Sequence, residues 1–374
     1  MTIRQRILAV YRGQTPDVVP FMLDLSHWFY HRQHLPWDLS QVYLEPEHEL
    51  IDYHRRHGVG FYIPNLAAFF TVSYEEDVQA ETEKTSVDGH PAITWRLRTP
   101  LGTIQRTRRW DEHTYAWAVK AWGINTEQDL RVLGYALSRR QFTPCWQRYR
   151  HWQEAVGDAG VAYFVFGYSA MGQLLNYWMG IERTIFAAVD WADTVAEVND
   201  QINANNLELV DLLAQSPAEV VIMGDNFSGD VQPPRFFQRW SRPFYEEAIR
   251  RFHAAGKCVA VHIDGRLTGA LGMIRDVGAD GADAVTPTPM GDLTPQQCRA
   301  ESGPDFILSG GVPPNLWLPH VPDAEFQQSV LRWLELRKAS PRLIAAAGDQ
   351  VPPGAVEHRI AMMRDLVETN GRYS

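Results

Sequence analysis

CVAVHIDG, residues 258–265, is an apolar run that ends in an acidic residue and a glycine. Side chains on a strand alternate faces. Cys258, Ala260, His262 and Asp264 therefore share one face, and Val259, Val261 and Ile263 the other. A strand that is apolar on both faces belongs in a parallel sheet covered by helices. The β-branched set suits the helix-packed side. His262 and Asp264 then point to the interior, at the C-terminal end of the strand.

Seven other runs share this character: VVPFMLD (18–24), GFYIPN (60–65), VAYFVFGY (161–168), EVVIMGDN (219–226), ADAVTPTP (282–289), FILSGGVP (306–313) and LIAAAGDQ (343–350). Helical periodicity fills segments such as 182–215, 234–255, 324–339 and 354–369. Strand–helix alternation means a parallel sheet. Eight such strands predict closure into a (β/α)8 TIM barrel, with a doubly wound open sheet as the rival. One stretch breaks the rhythm. Residues 71–122 carry alternating segments, AITWRLR and TIQRTRRW, joined by the turn signals DGH and TPLG. They predict an antiparallel insertion after the second strand, over the barrel mouth. No internal repeat or linker divides 1–374, so the expectation is one domain with an insertion.

Bulk properties narrow the function. A chain of 374 residues suits a barrel with insertions. A net charge of −10 with no basic run argues against a nucleic-acid footprint. Cys145, Cys258 and Cys298 lack disulfide or metal spacing, which fits a reducing compartment. The start, MTIRQRILAVYRG, is too short and too charged for a signal or membrane segment. A soluble, cytoplasmic protein with a small-molecule substrate is expected. The 13 tryptophans serve either core packing or a pocket for a flat ligand.

In a barrel the C-terminal strand ends carry the chemistry. Here they present Asp24, Asn65, Tyr168, Asp225 with Asn226, His262 with Asp264, and Asp349. Ala345, Ala347 and Asp349 share a strand face, as do Val221, Met223 and Asp225. Several carboxylates and one imidazole are thus predicted to converge. Two chemistries suit such a group. His262, Asp264 and Asp349 are competent ligands for a divalent metal, zinc included. Alternatively, a carboxylate held protonated by its neighbours serves as a metal-free general acid. A plain capping role competes for each aspartate. Trp28, Asn65, Tyr168 and Asn226 are expected to contact substrate. Trp28, Phe29, Tyr74, Tyr168 and Trp178 are expected to line the mouth.

Four stretches carry a family likeness: RQRILAVYRGQTPDVVPF, FGYSAMGQLLNYWMGIE, the long segment GDNFSGDVQPPRFFQRWSRPFYEEAIRRFHAAGKCVAVHIDG, and AAAGDQVPPGAVEHRIAMMRDLVETNGRYS. In order and spacing they resemble the uroporphyrinogen decarboxylase superfamily, closest to its cobalamin- and zinc-dependent methyltransferase branch. The resemblance implies a (β/α)8 barrel. It also implies methyl transfer between a small organic molecule and a corrinoid carried by a partner protein, with Asp225, His262 and Asp24 as catalytic groups. Two departures matter. The arginine-bearing run that grips porphyrinogen carboxylates is replaced by LDLSHWFYHRQ, with only Arg32 nearby. The family's zinc-binding His-x-Cys and later Cys are here His262, Asp264 and Asp349, a harder donor set that favours oxygen ligands. A metal-free lyase or decarboxylase and an inactive ligand-binding barrel are the alternatives.

Overall fold

In the computed structural model of the protein, residues 1–34, 46–61 and 69–373 are described. Six parallel strands lie side by side in chain order: Phe164–Gly167, Val220–Phe227, Cys258–Ile263, Gly281–Val285, Ile307–Val312 and Leu343–Ala347. They are the third to eighth of the predicted runs. Among the described residues, the first two runs join the ring by single bridges. Phe21 pairs in parallel with Ala345, Met22 with Gly60, and Phe61 with Gly160. The bridges carry real hydrogen bonds: Met22 N donates to Ala345 O at 3.1 Å, Gly60 N to Phe21 O at 3.1 Å, and Val161 N to Phe61 O at 3.1 Å. The sheet is therefore a closed barrel, and the open-sheet rival falls. Backbones approach closely at this seam. A Cβ on Gly160 would stand 1.8 Å from Phe61 O, so only glycine fits there.

Strand parity separates two cores. The inward side chains Met22, Tyr163, Ile222, Ala260, Ile307 and Ile344 form one cluster. The first helix, Ile3–Tyr11, adds Ile7, Leu8 and Val10 to that same cluster and so plugs the N-terminal end. Its start is fixed by a capping box between Thr2 and Gln5. The outward set, including Val221, Met223, Val259, Val261, Ile263, Ala345 and Ala347, packs with the helices in the larger core. With one end of the barrel filled by a helix, the polar strand ends gather at the other.

The insertion is an antiparallel meander of Gln79–Val87, His90–Thr99, Gly102–Asp111 and Ala116–Ala121. Asp88 and Gly89 both have positive φ, 54° and 80°, as a two-residue hairpin turn requires. The insertion is longer than its predicted end at residue 122. Phe70–Tyr74 pairs antiparallel with Arg140–Pro144, and helix Glu127–Leu137 lies between them in sequence. No described helix is long and apolar enough to cross a membrane.

Candidate active site

Strand Cys258–Ile263 delivers His262 as parity demands. Cys258 and Ala260 join the inward cluster, while Val259, Val261 and Ile263 join the helix-facing core. His262 Nδ1 donates to Asp283 Oδ2 at 3.0 Å. Asp283 comes from the next strand, Gly281–Val285, and is 2% exposed. Strand alternation aims it inward, since Ala282 packs with the helices and Asp283 pairs with His262 in a regular ladder. Ala284 adopts φ 62°, a left-handed conformation costly for a residue with a Cβ, and the strand register shifts between Ala282 and Val285. The sequence reading missed Asp283. The signal was there: it is the one acidic residue in the otherwise small and apolar Gly281–Val285 strand, paired with His262 in the ladder.

The charges around His262 decide its protonation. Burial alone would push the imidazole down. The Asp283 hydrogen bond, with the charges of Asp283, Asp349 and Asp264, overrides this and lifts it to about 9. At neutral pH the ring is a cation with Nδ1–H committed to Asp283. Asp349 is driven up to about 6, first by burial; His262 opposes the rise, and Asp264 and Asp24 add to it. Asp24, Asp264, Asp349 and His262 thus sense one another electrostatically at the C-terminal end of the barrel. Asp24 Oδ1 accepts from Ser26 N at 2.9 Å and Ser26 Oγ at 2.5 Å, at the start of helix Ser26–Arg32. The backbone ties the ends of strands one and eight together, since Val351 N donates to Asp24 O at 2.9 Å.

Asp225 stands apart from this group. Val221 and Met223 belong to the helix-facing core, and Asp225 follows them outward. It is 1% exposed. Its Oδ1 accepts from Ser169 N at 2.7 Å, and its Oδ2 from Ser169 Oγ at 2.5 Å and Tyr245 OH at 2.7 Å. Burial pushes its carboxyl up, against the pull of these donors. Its partners tie it to the helix Arg242–Ala254, so the expected acid–base role for Asp225 has no support in this placement. Replacing Asp225 with Ala strands two buried hydroxyls and an amide. Urea unfolding should show a loss of about 3 kcal/mol.

Other predicted residues divide. Trp28 is 2% exposed, donates through Nε1 to Ala355 O at 3.1 Å and packs on Tyr53. Trp178 is 4% exposed and belongs to a core cluster. Both are core residues rather than mouth lining. Phe29 and Tyr74 pack against the cores as partly buried side chains. Tyr168 and Asn226 are half-buried at strand ends, and Asn226 has φ 48°. Asn65 lies outside the described residues. Among the described residues no group of three His, Cys, Asp or Glu side chains is arranged to hold a metal ion. His262, Asp264 and Asp349 share an electrostatic neighbourhood without forming such a ligand set.

The family model described as Uroporphyrinogen decarboxylase (URO-D) matches residues 166–370, more than half of the chain. The chain belongs to the uroporphyrinogen decarboxylase family. The matched span covers five whole barrel strands, His262, Asp283 and Asp349. Among solved structures, a methyltransferase from Methanosarcina mazei aligns over 99% of both chains with a TM-score of 0.63 at 15% identity. That likeness shows the shared fold of this family member from end to end. A type I 3-dehydroquinate dehydratase from Clostridium difficile aligns over 55% of this chain and 81% of its own, with a TM-score of 0.26 at 8% identity. That second likeness is too weak to carry an argument. A search of curated proteins found no match.

Proposed function

We propose that this uroporphyrinogen decarboxylase family member is a methyltransferase that moves a methyl group from a heteroatom of a small organic molecule to a corrinoid carried by a partner protein. The observation that supports this most is the anchoring of the His262 ring through Nδ1 to buried Asp283. Breaking a bond between methyl carbon and oxygen or nitrogen leaves the electron pair on the heteroatom. That atom is a poor leaving group unless protonated. His262 Nε2–H supplies the proton, and the Asp283 carboxylate holds the ring in place before and after transfer. A corrinoid presented by the partner protein would supply the electron pair for the new bond to the methyl carbon. Asp283, Asp349 and Asp264 keep His262 charged until a substrate proton acceptor arrives. Among the described residues no three His, Cys, Asp or Glu side chains are grouped to hold a metal ion, and the proton transfer rests on His262 and Asp283.

A porphyrinogen polyacid fits poorly. The arginine nearest the first strand end, Arg32, pairs with Glu357 at 2.5 Å and lies 5.0 Å over the Trp28 ring. The test is direct. The purified protein is mixed with free cob(I)alamin and a panel of methyl ethers, methylamines and methanol. Growth of the methylcobalamin absorbance with at least one donor is the expected result. Release of carbon dioxide from carboxylated substrates, with no alkylation from any donor, would replace the proposal with the decarboxylase reading. Inertness in both assays would favour a ligand-binding barrel.

A further inference from the structure

Strand Gly102–Asp111 of the insertion turns Ile104, Arg106, Arg108 and Trp110 to one face. Ile104 and Trp110 are 2% and 3% exposed, and Arg106 is 1% exposed between them. Across the ladder, Arg106 faces Trp95 and Arg108 faces Ile93. Two guanidinium groups thus occupy positions that the pattern gives to apolar side chains. The other arginines of this sheet are paired: Arg96 and Arg98 with Glu81, and Arg109 with Asp88. Among the described residues, Arg106 and Arg108 enter no ion pair.

Their hydrogen bonds are incomplete in a specific way. Arg106 Nη1 donates to Tyr177 O at 3.2 Å. Its Nε and Nη2 are buried with no partner. Those two atoms form one edge of the guanidinium, the fork that receives both oxygens of a carboxylate. Arg108 Nη2 reaches Asn176 O at 3.5 Å, and its Nε is likewise buried and unpartnered. The faces of Arg106 are covered by Trp95 and Tyr177, at 4.1 and 3.0 Å from the ring centroids. Stacking satisfies the faces of the cation and leaves the N–H edge unmet. Burial drives Arg106 down to about 9, so the charge persists at neutral pH.

The position is at the strand ends. Tyr177 packs 5.9 Å from Tyr168, which follows the third barrel strand. Asn176, the Arg108 partner, donates through Nδ2 to Asp225 O at the end of the fourth. Tyr168 feels the charges of both arginines.

We propose that Arg106 and Arg108 form a carboxylate-binding subsite, and that the substrate is a small organic acid held there by its carboxylate. This rests on the reading of the barrel mouth as the substrate site. A bidentate carboxylate completes the Arg106 fork, and Arg108 covers it from the half-buried side. Arg108 and Tyr168 are both half-buried, and binding at the covered Arg106 edge requires them to move. One carboxylate suffices, which suits a chain that lacks the arginine run expected after the first strand.

Thermal shift and calorimetry with acetate, benzoate and succinate, each against its neutral amide, test this without reference to methyl transfer. At least one acid should raise the melting temperature by about 2 °C or more at saturation, and its amide should not. Arg108→Met should weaken that acid's affinity about tenfold or more, and Arg108→Lys should restore only part, because an ammonium lacks the fork. Arg106→Met should abolish the effect; if it fails to fold, the Arg108 pair of variants decides. Equal stabilisation by acid and amide overturns the subsite. So does tighter binding of inorganic phosphate than of any carboxylate. So does an absence of any carboxylate response in folded wild-type protein. Failure here with methylcobalamin still formed from neutral donors would remove the carboxylate and leave the methyl-transfer proposal standing.

Discussion

Replacing His262 with Asn should lower methyl transfer by about three orders of magnitude, the range of a positioned general acid. The Asn side chain can still donate one hydrogen bond to Asp283 but carries no transferable proton at neutral pH. That choice matters for interpretation. Asp283 is 2% exposed and is bonded to His262 through Nδ1. Replacement with Ala would leave a buried carboxylate unpaired and confuse lost chemistry with lost stability. With Asn, kcat should collapse while the urea midpoint moves little. Turnover within about tenfold of wild type would end the general-acid assignment.

Asp283→Asn should move the alkaline limb of the activity profile. The native imidazole stands at about 9, raised above its ordinary value by the Asp283 hydrogen bond and by the charges of Asp283, Asp349 and Asp264, against the downward push of burial. The acid form is the working form, so activity falls as pH rises through that value. Without the Asp283 charge, burial is opposed only by Asp349 and Asp264. If the imidazole returns to its ordinary value near 6.5, about 3% remains protonated at pH 8, against about 90% in wild type. Activity at pH 8 should therefore drop about thirtyfold and largely return near pH 6. A uniform loss at both pH values would mean that Asp283 only shapes the site. Stability follows the same sign. The contribution of the raised imidazole is full below about pH 6.5 and is lost as pH rises through about 9. Unfolding of wild type at pH 6 and pH 10 should differ accordingly, and that difference should shrink in Asp283→Asn.

The barrel was legible because parallel strands buried on both faces are written as short apolar runs, and all eight were visible. The same property hid part of the site. Where both faces of a strand are apolar, alternation alone does not say which face is inward. Cys258-Val-Ala-Val-His262 resolved the question, because its β-branched residues fall on one parity and its small ones on the other. Leu343–Ala347 did not. Ala345 and Ala347 pack with the helices, and Asp349 approaches His262 electrostatically only because the chain leaves the strand before reaching it. Val221 and Met223 misled in the same way and carried Asp225 outward with them. Asp283 was passed over because chemistry was sought at the C-terminal strand ends, and it lies inside its run, beside His262 in the ladder. Arg106 and Arg108 lie in the predicted antiparallel insertion over the barrel mouth, where they drew no separate reading. Their shared parity with Ile104 and Trp110 was the signal that they face inward.

The seam of the barrel divides labour along the chain. Strands three to eight are joined by hydrogen-bonded ladders and, with the turn after the last, contribute His262, Asp283 and Asp349. The first two runs are stitched in by the single bridges at Phe21, Met22 and Phe61, and the long excursion that follows them brings Arg106 and Arg108. The residues proposed for proton transfer therefore lie on the laddered strands, and the two proposed to hold a carboxylate lie in the insertion. The two proposals therefore call for substitutions on opposite sides of that seam, His262 and Asp283 on one and Arg106 and Arg108 on the other.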